Sequence, residues 1–152
     1  MAVVVLCAVM SAQGNATLSG TWAIDRDATP TGRGAGGISG IVIANTLVIT
    51  VSSGDVTVVS DTGSGQTLQT SVYKLDGSNN PVPGPLGWDT RAKALWEGTN
   101  LVVTTRRSMT GPTGPMGVDV KDVYSVAGDV LTIERSMGRV TQKLFYRKGD
   151  SK

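Results

Sequence analysis

Short runs of β-branched residues, each broken within a few positions by a turn cluster, recur along the whole chain. No stretch carries a sustained helical apolar period. That pattern leaves an all-β fold and excludes a helical bundle or an alternating α/β chain. The residue counts agree. Val, Thr and Ile supply 44 of 152 residues, against 2 Glu, 4 Gln and 6 Lys, so the usual builders of exposed helices are scarce. The predicted strands are 18–25, 38–44, 46–52, 55–61, 67–75, 90–97, 100–108, 118–126, 129–136 and 139–147. Several alternate with period two. Leu47, Ile49 and Val51 share a face; Leu101 and Val103 share another; Leu131 and Ile133 oppose Thr132 and Glu134. Val140, Gln142, Leu144 and Tyr146 oppose Thr141, Lys143, Phe145 and Arg147.

The links predict the topology. Ser53-Gly54-Asp55, Gly63-Ser64-Gly65, Gly98-Thr99-Asn100, Ala127-Gly128-Asp129 and Met137-Gly138 are short enough to force antiparallel neighbours. About ten strands in an up-and-down meander expose two edges unless they close, so a barrel is expected. Two connections, 26–37 and 76–89, are too rich in Gly, Pro and Asn for regular structure. Loops of that length are often binding or lid elements, and plain surface is the competing reading.

Residues 2–10 are uniformly apolar and lead into Ser11-Ala12-Gln13-Gly14-Asn15-Ala16. This has the form of a signal peptide, too short to span a bilayer. Cleavage after Ala12 or after Ala16 fits equally. Residues 1–16 are therefore expected to leave a single domain, 17–152, with no transmembrane span, in a secreted or periplasmic protein. Against this, no basic residue precedes Val3, and the segment also reads as a first strand. Cys7 follows Leu6 where a lipoprotein cysteine wants a small residue, and Asn15-Ala16-Thr17 is a glycosylation sequon beside the cleavage site.

The chain has no histidine and one cysteine, Cys7. This excludes Ser-His-Asp and Cys-His catalysis, a Cys/His zinc site and an intrachain disulfide. No cofactor and no metal are expected. A net charge of +2 does not argue for nucleic acid. Residues 32–37 satisfy G-x-G-x-x-G formally, but a strand is expected next, where a nucleotide fingerprint needs a helix N-terminus. Gly111-Pro112-Thr113-Gly114-Pro115-Met116-Gly117 is too short for a collagen helix and reads as a hairpin loop. Glu97 and Glu134 would be the carboxylates of a glycosidase-like hydrolase, with a solvated cross-strand ion pair as the plainer reading. Asp25 and Asp27 flank Arg26, and Asp119 and Asp122 flank Lys121, without the ladder of an EF-hand. The basic residues Arg135, Arg139, Lys143, Arg147, Lys148 and Lys152 read as a charged sheet edge or as a rim for anionic envelope components.

Leu18-Ser19-Gly20-Thr21-Trp22 sets G-x-W on the first strand. Tyr73-Lys74-Leu75-Asp76-Gly77, the run from Trp96 to Thr105, Val123-Tyr124-Ser125-Val126, Leu131 to Arg135 and Phe145-Tyr146-Arg147-Lys148 follow in order. Together, over about residues 18–148, they resemble small secreted bacterial proteins with a lipocalin-like β-barrel, most of which have no assigned activity. Ala127-Gly128-Asp129 departs from the Asp-Gly expected before its strand, which alters one turn. The resemblance implies that Gly20 and Trp22 form a structural closure of one barrel end. Trp22 would pack beneath a basic residue of a late strand, Arg147 on the last strand ahead of Arg135. The competing reading is a core tryptophan with both arginines solvated.

Three functional classes follow. The first is a barrel that binds a small apolar or amphipathic, lipid-like ligand. The 76–89 loop would be its lid, and Trp88 either a rim contact or the anchor that packs the loop down. The second is a structural or interaction module of the cell envelope, its interior filled by Val, Leu and Ile. The third is the carboxylate hydrolase.

Overall fold

Three two-residue links share one chemistry. Gly98, Gly128 and Gly138 open the turns Gly98-Thr99, Gly128-Asp129 and Gly138-Arg139 with φ near +60°, and among the described residues no non-glycine has positive φ. A positive φ followed by a negative one is the type II′ turn, whose twist matches paired strands. The registers follow: Glu97 faces Asn100, Ala127 faces Val130 and Met137 faces Val140.

The computed structural model describes residues 17–30, 43–61 and 69–149. Its strands are β1 (Gly20–Ile24), β2 (Thr46–Val51), β3 (Asp55–Asp61), β4 (Gln69–Lys74), β5 (Asn80–Pro81), β6 (Asp89–Glu97), β7 (Asn100–Gly111), β8 (Gly114–Ala127), β9 (Val130–Met137) and β10 (Val140–Lys148). They form one antiparallel sheet in the order β4-β3-β2-β1-β10-β9-β8-β7-β6-β5. The ten-stranded all-β barrel expected from the sequence is the observed architecture, with three differences, the first being that the 111–117 segment read as a hairpin loop is strand except at Pro112-Thr113. Ile43 and Ala44 are not strand, and the rest of the expected 38–44 run lies outside the described residues. The tenth strand is instead Asn80–Pro81, inside the segment read as loop. Proline there is tolerated because β5 is an edge strand that pairs only with β6. The apolar run 2–10, the glycine run 32–37 and the turn 63–65 also lie outside the described residues.

First and last strands close the meander through Trp22↔Lys148, Ala23↔Arg147 and Ile24↔Tyr146. The opposite seam stays open: among the described residues β4 and β5 each pair on one side only. Pro81, Pro83 and Pro85 remove three amide donors from the segment that would have to complete it.

The end carrying the turns at 98–99 and 128–129, here the lower end, is solid. Trp22, Val56, Leu101 and Leu131 are fully shielded there. The Trp22 indole N–H donates to the Leu18 carbonyl at 3.0 Å, which satisfies its one polar atom. Gly20 has φ +148°, and a Cβ on it would lie 3.3 Å from Cε of Lys148. Glycine thus leaves a path for the lysine arm, whose Nζ sits 5.5 Å from the centre of the Trp22 ring.

Trp22→Ala should destabilise the fold by about 3–5 kcal/mol, because the plug of the lower end cannot be refilled by its neighbours. Urea unfolding measures this as a lower midpoint with an unchanged slope; an unchanged midpoint would show that the indole is not the plug.

Candidate functional site: a polar-walled cavity in the upper barrel

Above the packed layer the barrel is hollow, with a cavity of about 380 Å³. Leu47 and Val58 form its apolar wall on one side, and Ile133 and Leu144 on the other. Tyr73, Arg107, Asp122, Tyr124, Arg135 and Tyr146 bring polar groups to the same space. Residues Val82, Pro83, Gly84 and Pro85 of the 76–89 segment contribute to the lining, beside the open seam. Gly84 packs so closely on Thr90 that an added Cβ would fall 2.0 Å from the Thr90 hydroxyl oxygen.

Two of the charged groups neutralise each other. Asp122 on β8 and Arg135 on β9 are cross-strand partners that both face inward. The guanidinium grips the carboxylate with both prongs, Nε to Oδ1 at 2.8 Å and Nη2 to Oδ2 at 3.0 Å. Their side chains are only 14% and 12% exposed. Burial works against the arginine's charge, but the bidentate bond and the Asp122 charge outweigh it and hold its pKa above the ordinary value.

Arg107 is different. It enters the cavity from β7, makes no ion pair among the described residues, and its Nε is buried without an acceptor. A donor in that state costs free energy until something accepts from it.

All three tyrosines of the chain line this space. Desolvation raises the pKa of each. Tyr146 is pushed up to about 12, and its hydroxyl donates to the Ala44 carbonyl at 3.0 Å. Tyr73 is raised by burial and feels the charges of Asp122, Arg135 and Arg107; Tyr124 is raised well above its usual value by burial, then by Tyr73 and Asp122. The phenols are therefore neutral donors and acceptors at physiological pH.

The residues singled out from sequence lie in three places. Gly20 and Trp22 are at the closed lower end, where the cation over the indole is Lys148. Arg147 pairs with Ala23 in the β1–β10 ladder, so it projects to the opposite face from Trp22 and bonds Asp25 at 3.0 Å. One residue's difference along a strand reverses the face. Arg135 lies in the cavity, bound to Asp122. Trp88 is half-buried after the turn Pro85-Leu86-Gly87 and its amide donates to the Pro85 carbonyl at 3.1 Å. The residues of the 76–89 segment that line the cavity are those from Val82 to Pro85; Trp88 is not among them. Glu97 is exposed beside its turn, and Glu134 meets Lys143 at 3.5 Å in an exposed cross-strand pair. Neither lines the cavity. Asp119 bonds Arg106, also outside the cavity lining.

Arg107, Asp122, Tyr73 and Tyr124 were missed from sequence, although a signal for the two charges existed. Arg107 is in phase with Leu101 and Val103, and Asp122 with Val120 and Tyr124. A charge on the apolar phase of a strand points inward. Reading Asp122 with its neighbours Asp119 and Lys121 obscured that phase.

Neither a family model nor a curated protein matches the sequence. Solved structures match the fold. A secretory abundant heat soluble protein from Ramazzottius varieornatus is 19% identical, with a TM-score of 0.62 over 88% of this chain and 96% of that one. A fatty acid transporter, REP1-NXSQ, is 14% identical, with a TM-score of 0.65 over 90% of this chain and 99% of that one. A variant of the fluorescent protein UnaG is 18% identical, with a TM-score of 0.60 over 90% and 99%. The architecture is thus that of lipocalin-like barrels.

Because the folded pKa of each tyrosine lies above its unfolded value, their stabilising contribution is complete below about pH 10 and fades as pH rises through the folded values, about 12 for Tyr146. Absorbance titration of tyrosinate in the folded protein should show no group ionising near pH 10. One tyrosine titrating there would contradict the buried trio. Thr90→Val, which removes a buried hydroxyl oxygen without a hydrogen-bond partner, should leave stability unchanged or raise it by about 1 kcal/mol in thermal unfolding; a loss of that size would show that the hydroxyl is satisfied.

Proposed function

We propose that this protein binds one small amphipathic molecule in the upper cavity. Its apolar part would lie against Leu47, Val58, Ile133 and Leu144, and an anionic end would accept from Arg107. The observation that carries the reading is a space of about 380 Å³ lined by Arg107, which makes no ion pair among the described residues and whose buried Nε has no acceptor. A volume of that order suits a small ligand, and a wall that is part apolar and part polar suits an amphipathic one. One structural neighbour is a fatty acid transporter by name, which supports the same ligand class at the level of fold.

We propose further that the protein is exported, on the strength of the apolar run 2–10 and the small residues that follow it.

Titration of the full-length chain with a fluorescent fatty-acid analogue tests the first reading. Saturation near one probe per protein, reversed by an unlabelled fatty acid, is expected; no saturable binding to a cooperatively folded protein would overturn it. Mass spectrometry of protein recovered from its native source tests the second. A mature N-terminus at Gln13 or Thr17 is expected, and an intact residue 1–16 segment would rule export by this signal out.

A further inference from the structure

Among the described residues three charged side chains line the cavity: Arg107, Asp122 and Arg135. Their count is odd, and their pairing is fixed by geometry. Asp122 uses both carboxylate oxygens on Arg135, and that guanidinium spends its Nε and one Nη in return. Arg107 has no such partner among the described residues, and its Nε is buried with nothing to accept from it. The three phenols add no charge, since burial keeps them protonated.

We infer that Asp122 is the residue that sets which head group the cavity takes: by occupying Arg135 it leaves one guanidinium uncompensated, so the site selects a singly charged anion such as a carboxylate and discriminates against uncharged and doubly charged head groups. The inference rests on the proposed ligand-binding reading and gives its site a valence. An uncharged head group leaves the half-buried Arg107 without a counter-charge. A dianion brings one charge that Arg107 can neutralise and a second that it cannot, in a space that already holds the Asp122 carboxylate. A monoanion neutralises the cavity and supplies the missing acceptor with a charge-assisted bond. Removing the carboxylate while keeping its shape would release the Arg135 fork into the same cavity. Two guanidiniums would then suit two negative charges.

Displacement of the fluorescent analogue from the full-length protein by three probes of equal chain length, dodecanoate, dodecanol and dodecyl phosphate, reads this directly. At about pH 8 the phosphate monoester is doubly charged. The unaltered protein should bind dodecanoate about tenfold or more tightly than either of the others, the scale of one charge-assisted hydrogen bond. Asp122→Asn should reverse the order of the two anions, with dodecyl phosphate ahead by about tenfold. Arg107→Gln should abolish the carboxylate preference and bring dodecanol level with or ahead of dodecanoate. Asp122→Asn leaves Arg135 unpaired, so its melting transition is measured alongside. If that variant does not fold cooperatively, Arg107→Gln decides alone. Retention of the original order in folded Asp122→Asn, or of a tenfold carboxylate preference in Arg107→Gln, would overturn the inference. Equal displacement by all three probes from the unaltered protein overturns it while leaving ligand binding intact. Failure of the analogue to bind at all overturns the ligand reading, and this one with it.

Discussion

The ladder between β1 and β10 is the interaction on which the rest depends. A meander of short antiparallel strands has two unsatisfied edges, and joining the first strand to the last removes both from that side while forcing the sheet to curve. Curvature turns one phase of every strand inward. The same ladder brings Lys148 opposite Trp22, so the strand that closes the wall also caps the tryptophan that fills its base. Gly20 is favoured at that junction by its φ of +148°, and a Cβ there would crowd the lysine arm at 3.3 Å.

The interior divides because the inward phase changes character along the strands. Near the lower turns it reads Trp22, Val56, Leu101 and Leu131, large or branched groups that meet across the axis. Further up, the same phase reads Ser71, Thr90, Arg107, Asp122 and Arg135. These side chains are too short or too polar to fill a dry core, and the space between them remains open. A single fold thus carries a packed half and a hollow half, and the boundary between them is set by residue size and polarity within the strands. The buried Asp122–Arg135 pair costs desolvation that apolar residues at those positions would avoid, so it adds little to stability.

Most of the architecture was legible because it rests on local signals. Gly98-Thr99, Gly128-Asp129 and Gly138-Arg139 each specify a turn, and period-two runs such as Leu47-Ile49-Val51 specify a face. What was illegible depends on contacts between distant strands. That Lys148, not Arg147, lies over Trp22 follows from the register of β1 against β10, which is not written in either strand alone. The partnership of Asp122 with Arg135 needs the β8–β9 register in the same way. Asn80–Pro81 forms a strand only because β6 is beside it. The site was therefore hidden less by its chemistry than by its assembly from separate parts of the chain, although inward-phased charges on β7 and β8 were visible in principle.

The open seam between β4 and the proline-bearing edge gives the wall an unusual mechanical character. Elsewhere around the circumference, widening the ring stretches rows of amide–carbonyl bonds; at the seam no ladder joins β4 to β5 among the described residues. The barrel is in this sense a split ring, stiff along nine-tenths of its strand order and compliant at one joint. That joint lies next to the close Gly84–Thr90 contact, and among the described residues it is the one place around the ring where widening would break no ladder.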